Sequence, residues 1–197
     1  MNLITSSIGQ GLLWGLLGVG LFLTFRILDF PDMTVEGTFP HGAAISVTAI
    51  THGVDPFVAT LLAFLTGMAA GLITGLLYTK GRIPILLAGI LVMTACYSIN
   101  LRIMGTSNVS LLGQKTLFSS ALLTSLPKFF DSVALGMIII IIVVALLALF
   151  LQTNLGQAFI ATGDNEKMAK SLGINTDQMK NMGLMVSNGM IAVSGAL

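Results

Sequence analysis

Arg26, Asp29, Asp32 and Glu36 fall within eleven positions of one another, in the stretch RILDFPDMTVEGTFPHG, although the chain has only 9 basic and 8 acidic side chains in 197 residues. Carboxylates grouped in this way can accept an ammonium group, work as an acid and base, or pair with Arg26 and with helix ends. An intramembrane aspartyl enzyme would use Asp29 and Asp32, but a three-residue spacing across Pro31 gives no assurance that the two carboxylates converge. His41 and His52 are too isolated to suggest a metal site, and no HExxH sequence occurs. Cys96 is the only cysteine, which leaves neither an internal disulfide nor a cysteine-ligated cluster. No glycine-rich phosphate loop with a following Lys-Ser or Lys-Thr is present, so ATP hydrolysis by this chain is not expected.

The elements that carry these residues belong in a membrane. The chain is 55% hydrophobic and 9% charged, against roughly 25% charged in an ordinary soluble domain. Its mean hydropathy is +0.96. Val133 to Leu151 contains no polar side chain. Its Val, Ile, Leu and Phe residues together contribute roughly −4 to −8 kcal/mol to insertion. The expected class is therefore all-α, a polytopic transmembrane helix bundle forming one domain over residues 1–197. Spans are expected at about 8–25, 57–78, 83–99, 132–151 and from 182 onward. The last runs into the C-terminus at barely spanning length, as if the chain continued beyond Leu197. A net charge of +1 and no basic cluster longer than Lys80-Gly-Arg82 argue against nucleic-acid binding. The N-terminus has no positive residue before its apolar run and no small-residue cleavage pattern, so that run reads as a retained anchor.

Placing the four charges of the opening stretch in hydrocarbon would cost roughly 10 kcal/mol together. Pro31 and Pro40 remove amide donors, which speaks against a continuous helix there. An aqueous loop is one reading; the other is a discontinuous helix whose irregular backbone lines a water-filled path. The apolar piece within 39–52 is too short to cross and would reach only part of the way. Asn100, Ser187 and Asn188 are cavity candidates, or else helix-to-helix hydrogen-bonding residues.

Gly67, Gly71 and Gly75 recur every four residues and present three bare backbone patches on one helix face, where a second helix can pack closely. Positive residues place the turn at Lys80 and Arg82, and the loop with Lys167, Lys170 and Lys180, on the cytoplasmic side. Two spans separate them. The intervening segment, Arg102 to Asp131, then faces outward despite Arg102, Lys115 and Lys128. In the loop 154–181, Asp164 is expected to cap a short helix with Glu166 in its first turn, and Gly173 to stop it. Asn175 with Gln178 resembles a capping box leading into the last span. Met168 and Leu172, with Ala169 nearby, form a small apolar knob suited to a groove on another protein.

Three runs, ILDFPDMTVEGTFPHGAA, LLYTKGRIPILLAGILVMTACYSINLRIMG and LGQAFIATGDNEKMAKSLGIN, resemble the permease subunits of bacterial ABC importers of the branched-chain amino-acid and ribose type. The likeness is greatest to a branched-chain amino-acid-like subgroup, some of whose members are linked to tryptophan or tyrosine uptake. The resemblance implies a permease in the bacterial cytoplasmic membrane that binds no cofactor itself. Its implied partners are a second permease copy, a dimer of cytoplasmic ATPase subunits carrying ATP and magnesium, and an external binding protein or lipoprotein. It implies a broken helix near the pathway, with Asp29, Asp32, Thr34, Glu36 and His41 as pathway candidates beside Asn100 and Asn188. It also implies a cytoplasmic coupling helix around Gly163, Asp164, Asn165, Met168, Ala169, Leu172, Gly173 and Ile174. Ile160 and Glu166 depart from the Arg and Pro of many relatives. An ion-coupled secondary transporter would use a broken helix and carboxylates equally well, but it has no partner for the Met168 and Leu172 knob.

Overall fold

The computed structural model describes residues 2–106, 109 and 130–197. Among the described residues every regular element is helical. Helix α1 (Asn2–Leu21) widens into a π-helical end over Phe22–Ile27, after which the chain is irregular until α2 (Val35–Thr51). Asp29 adopts φ +50 in this break, a left-handed conformation that Asp tolerates better than most residues. The expected interruption is present, but it lies entirely before Val35. Helix α2 runs through Pro40, contrary to the expectation that this proline would help to break it. Its 17 residues reach about 25 Å, still short of the ~30 Å hydrocarbon core.

Helix α3 (Pro56–Thr79) begins with Asp55, whose Oδ1 accepts from the Phe57 amide at 2.9 Å, and with Pro56 in the first turn, where its missing N–H costs nothing. Helix α4 (Ile85–Met104) follows Pro84 and stops at Gly105, φ +65. The segment expected to face outward lies, beyond Thr106 and up to 129, outside the described residues except for position 109. Helix α5 (Phe130–Gln152) bends by 83° at Thr153 into α6 (Asn154–Asp164), an amphipathic helix where the sequence suggested only a loop. Helices α7 (Glu166–Ser171) and α8 (Thr176–Ala196) complete the chain.

Among the described residues, three helical segments are long and apolar enough to cross a membrane: Ser7–Ile27, Pro56–Thr79 and Ile85–Met104. The bent pair α5 and α6 supplies a fourth if counted as one span. Helix α8 does not qualify, and its position explains why. It packs against α1, α2 and α3, so Ser187, Asn188 and Ser194 are buried in protein instead of facing lipid. A helix enclosed by other helices can carry polar residues at depth if they find partners there.

The glycine face of α3 packs directly on the α8 backbone. A Cβ on Gly67 or Gly71 would collide with the α8 backbone at Asn188 or Leu184, and one on Gly75 with Asn181. Gly42 of α2 stands equally close to the Ala192 carbonyl. Helices α2 and α8 therefore form the centre of the bundle, with α1, α3 and α4 around them.

Candidate functional site

Where the break meets α2, the side chains form one connected polar cluster. Asp32 is 2% exposed. Its Oδ1 accepts from the Thr34 amide at 2.8 Å and its Oδ2 from Asn188 Nδ2 at 2.7 Å. Thr38 donates to Asn188 Oδ1 at 2.8 Å, and the hydroxyls of Thr34 and Thr74 share a 2.8 Å bond. Three helices and the break thus meet at the Asn188 side chain and its neighbours. Buried polar groups of this kind are stable only when each finds a partner. Among the described residues, no ion pair involves Asp32.

The other pathway candidates are placed differently. His41 and Asn100 are both buried and joined at 2.6 Å between Nδ1 and Oδ1, linking α2 to α4. Glu36 is exposed, on the first turn of α2. Asp29 is exposed at the start of the break and does not join the cluster. Asp29 and Asp32 therefore do not form a catalytic pair, since both Asp32 oxygens are already engaged within the protein. Ser187 donates to the Gly20 carbonyl at 2.8 Å, a helix-to-helix bond. Among the described residues no three His, Cys, Asp or Glu side chains gather as a metal site. Sequence reasoning did not single out Thr38 or Thr74. Their hydroxyls sit on otherwise ordinary helical positions, and only the fold brings them together.

A groove of about 430 Å³ opens between α1 and the first turns of α2. Trp14, Phe25 and Phe39 line it together with Glu36, Asp32 and Met33. The Trp14 and Phe39 rings lie 5.4 Å apart.

At one end of the bundle, α6 and the start of α8 lie against the π-helical end and the break. A Cβ on Gly163 would collide with the Ile27 carbonyl, and one on Gly183 with Leu28. Asn165, not Asp164, caps α7, through its Oδ1 to the Met168 amide at 3.0 Å. Asp164 is instead the last residue of α6. Gly173 stops the helix with φ +83, and Asn175 caps α8 by accepting from the Gln178 amide. Ala169 is 1% exposed and faces inward, so it is not part of the knob; Met168 and Leu172 remain 57% and 66% exposed.

Lys180 fastens this arrangement. It is 5% exposed, bonds Glu166 at 2.8 Å, and lies 5.0 Å from the Tyr78 ring centroid and 5.9 Å from that of Phe30. Glu166 also pairs with Lys170 at 2.8 Å. Hydrogen bonds from Lys170 and Lys180 hold the Glu166 carboxyl down at about 2. One ammonium thus joins α7, α8, the end of α3 and the break. The Lys80 and Arg82 turn follows directly after α3, whose Tyr78 contacts Lys180, so the basic turn and the α7 loop lie at the same end of the bundle.

The fold and site define a helical membrane-embedded bundle with a broken first hairpin, a buried polar centre and a capped surface knob. Residues 3–197 match the family described as branched-chain amino acid transport system / permease component. The chain belongs to that family. It is 46% identical over all 197 residues to a tyrosine transport system permease protein of Clostridioides difficile, of which it covers 64%. It is 34% identical to an uncharacterized protein of Rickettsia prowazekii, covering 68% of it. Over 180 residues, 91% of the chain, it is 28% identical to an autoinducer 2 import system permease protein of Yersinia enterocolitica, covering 48% of it. The chain thus spans about half to two thirds of the length of these relatives. No solved structure matches it.

Proposed function

We propose that this chain is the translocating subunit of an ATP-driven importer that moves a small polar solute, an amino acid, by alternating access. In this reading it sits in the bacterial cytoplasmic membrane as one of two permease copies. A separate ATPase dimer docks at the α7 end, and an extracytoplasmic binding protein or lipoprotein delivers the solute to the other. The name of the 46% identical relative, a tyrosine transport system permease protein, supports an amino acid as cargo.

The observation that carries the reading is the state of α7. Its inner face is fixed by Ala169 and by the Glu166–Lys180 pair, while Met168 and Leu172 project outward. A fixed six-residue helix that, with its C-cap Leu172, presents two bare apolar side chains fits a pocket on another protein. An ion-coupled secondary transporter has no use for it. The packing of Gly163 and Gly183 on Ile27 and Leu28 gives force at α7 a short route to the break and to the polar centre.

The test is co-purification with the ATPase subunit. Leu172→Asp is expected to lower the association at least tenfold, since truncating a central apolar anchor costs about 2 kcal/mol or more. ATP-dependent solute uptake should fall with it. Wild-type association of the variant would overturn the docking assignment.

A further inference from the structure

We propose that the groove between α1 and α2 is a binding subsite for a solute carrying both an aromatic ring and an ammonium group. The inference rests on the transport reading above and assigns the place where such a cargo is held.

The depth of the groove comes first. Trp14 and Phe39 face each other with ring centroids 5.4 Å apart, which sets the register of the two helices. Along the groove, α1 runs from Trp14 to Phe25 while the opposite wall runs back from Phe39 to Asp32. Glu36 lies one turn before Phe39, level with Leu17, the middle of the Ser7–Ile27 span. An exposed carboxylate at mid-depth is costly against hydrocarbon. The groove is therefore wet or occupied by a cation.

The lining then selects the occupant. The exposed Glu36 and the buried Asp32 both line the groove and give it negative character, and among the described residues neither is in an ion pair. Pro40 cannot donate to the Glu36 carbonyl four residues earlier, which leaves another acceptor short of its helical donor. An ammonium group beside the exposed Glu36 supplies its missing countercharge, while Asp32, whose oxygens are already engaged, adds only its negative field. Trp14, Phe25 and Phe39 supply aromatic faces that attract both cations and rings. A volume of about 430 Å³ is adequate for one small aromatic molecule. A lipid tail would satisfy the rings but not Glu36, and a sugar would satisfy the carboxylates but use the three rings less well.

Trp14 is the only tryptophan of the chain, so its emission reports on this groove directly. The experiment titrates tyrosine, tyramine, phenylpropionate and leucine into the purified protein in phosphatidylcholine nanodiscs. Excitation is at the red edge, where tyrosine ligands are silent. Tyrosine and tyramine are expected to change Trp14 emission saturably; phenylpropionate, which lacks the amine, is not. Glu36→Gln should weaken tyramine roughly tenfold or more, as expected when a charged hydrogen-bond partner is lost, and Glu36→Asp should recover part of the loss. Phe39→Leu should narrow the preference for tyrosine over leucine. The proposal is overturned if no ligand gives a saturable change, if phenylpropionate acts as tyramine does, or if Glu36→Gln binds tyramine as tightly as wild type. ATP-dependent tyrosine uptake by the assembled importer separates the two readings. Uptake with a silent Trp14 refutes the groove alone, and a responsive Trp14 without ATP-dependent uptake refutes the transport mechanism alone.

Discussion

Replacing Glu166 with Gln tests how α7 is held to the bundle. The substitution keeps the size of the side chain and removes the charge that pairs Lys180 and Lys170, each at 2.8 Å. Breaking a fully buried pair costs about 3–5 kcal/mol and breaking an exposed one about 0.2–1 kcal/mol. This pair lies between the two: the Lys180 side chain is 7% exposed and that of Glu166 38%. Water screens the carboxylate, and the Phe30 and Tyr78 rings continue to shield the ammonium. A loss of about 1.5 kcal/mol is therefore expected, which raises the open population of α7 roughly tenfold. Hydrogen exchange in nanodiscs measures it. The amides of α7 and the first turn of α8 should exchange about tenfold faster, with those in the middle of α3 unchanged. Lys180→Met should have a similar effect, and the double variant should add little to either. Unchanged exchange in α7, or strictly additive variants, would refute the idea that this pair holds the helix down.

Three further outcomes are expected. Gly71→Leu should disrupt the α3 and α8 contact, because a Cβ already collides with the Leu184 carbonyl; the protein is expected to lose several degrees of thermal stability in detergent, or to fail to accumulate. Asn188→Leu strands Asp32 and Thr38, and should cost about 2 kcal/mol in chemical denaturation while eliminating uptake. Acid should release α7: the Glu166 carboxyl is depressed to about 2 from an ordinary 4.5, so its contribution is complete above about 4.5 and is lost as pH falls toward 2. Protection of the α7 amides, taken relative to their intrinsic exchange rate at each pH, should therefore fall over that window and stay flat near neutrality.

The sequence made the membrane class, the broken first hairpin and the α7 knob legible, because each has a local signature. A long apolar run, clustered charges beside prolines and a short helix framed by a capping residue and Gly173 need no tertiary knowledge to recognise. Asp164 was misassigned as the cap because Asp and Asn at adjacent positions are equally good caps; α6, which the sequence did not reveal, runs through Asp164 and leaves Asn165 in that role. Pro40 looked like a breaker because local rules do not see the enclosing α4 and α8, which hold α2 in place around it. Lys180 and Trp14 were invisible for a different reason. A lysine among loop lysines and a tryptophan in an apolar run have ordinary settings, and what distinguishes them is the partners that the fold supplies. The glycine spacing, by contrast, pointed to the correct face of α3 although the sequence did not say that α8 would meet it.

The contact at Gly163 has a mechanical consequence. Because that residue has no side chain, the end of α6 rests on the Ile27 carbonyl as main chain against main chain. Longer side chains act as springs, absorbing small displacements by changing rotamer. With none interposed, the joint has little compliance, and in the proposed transport cycle a displacement of α6 would reach the hinge with little loss.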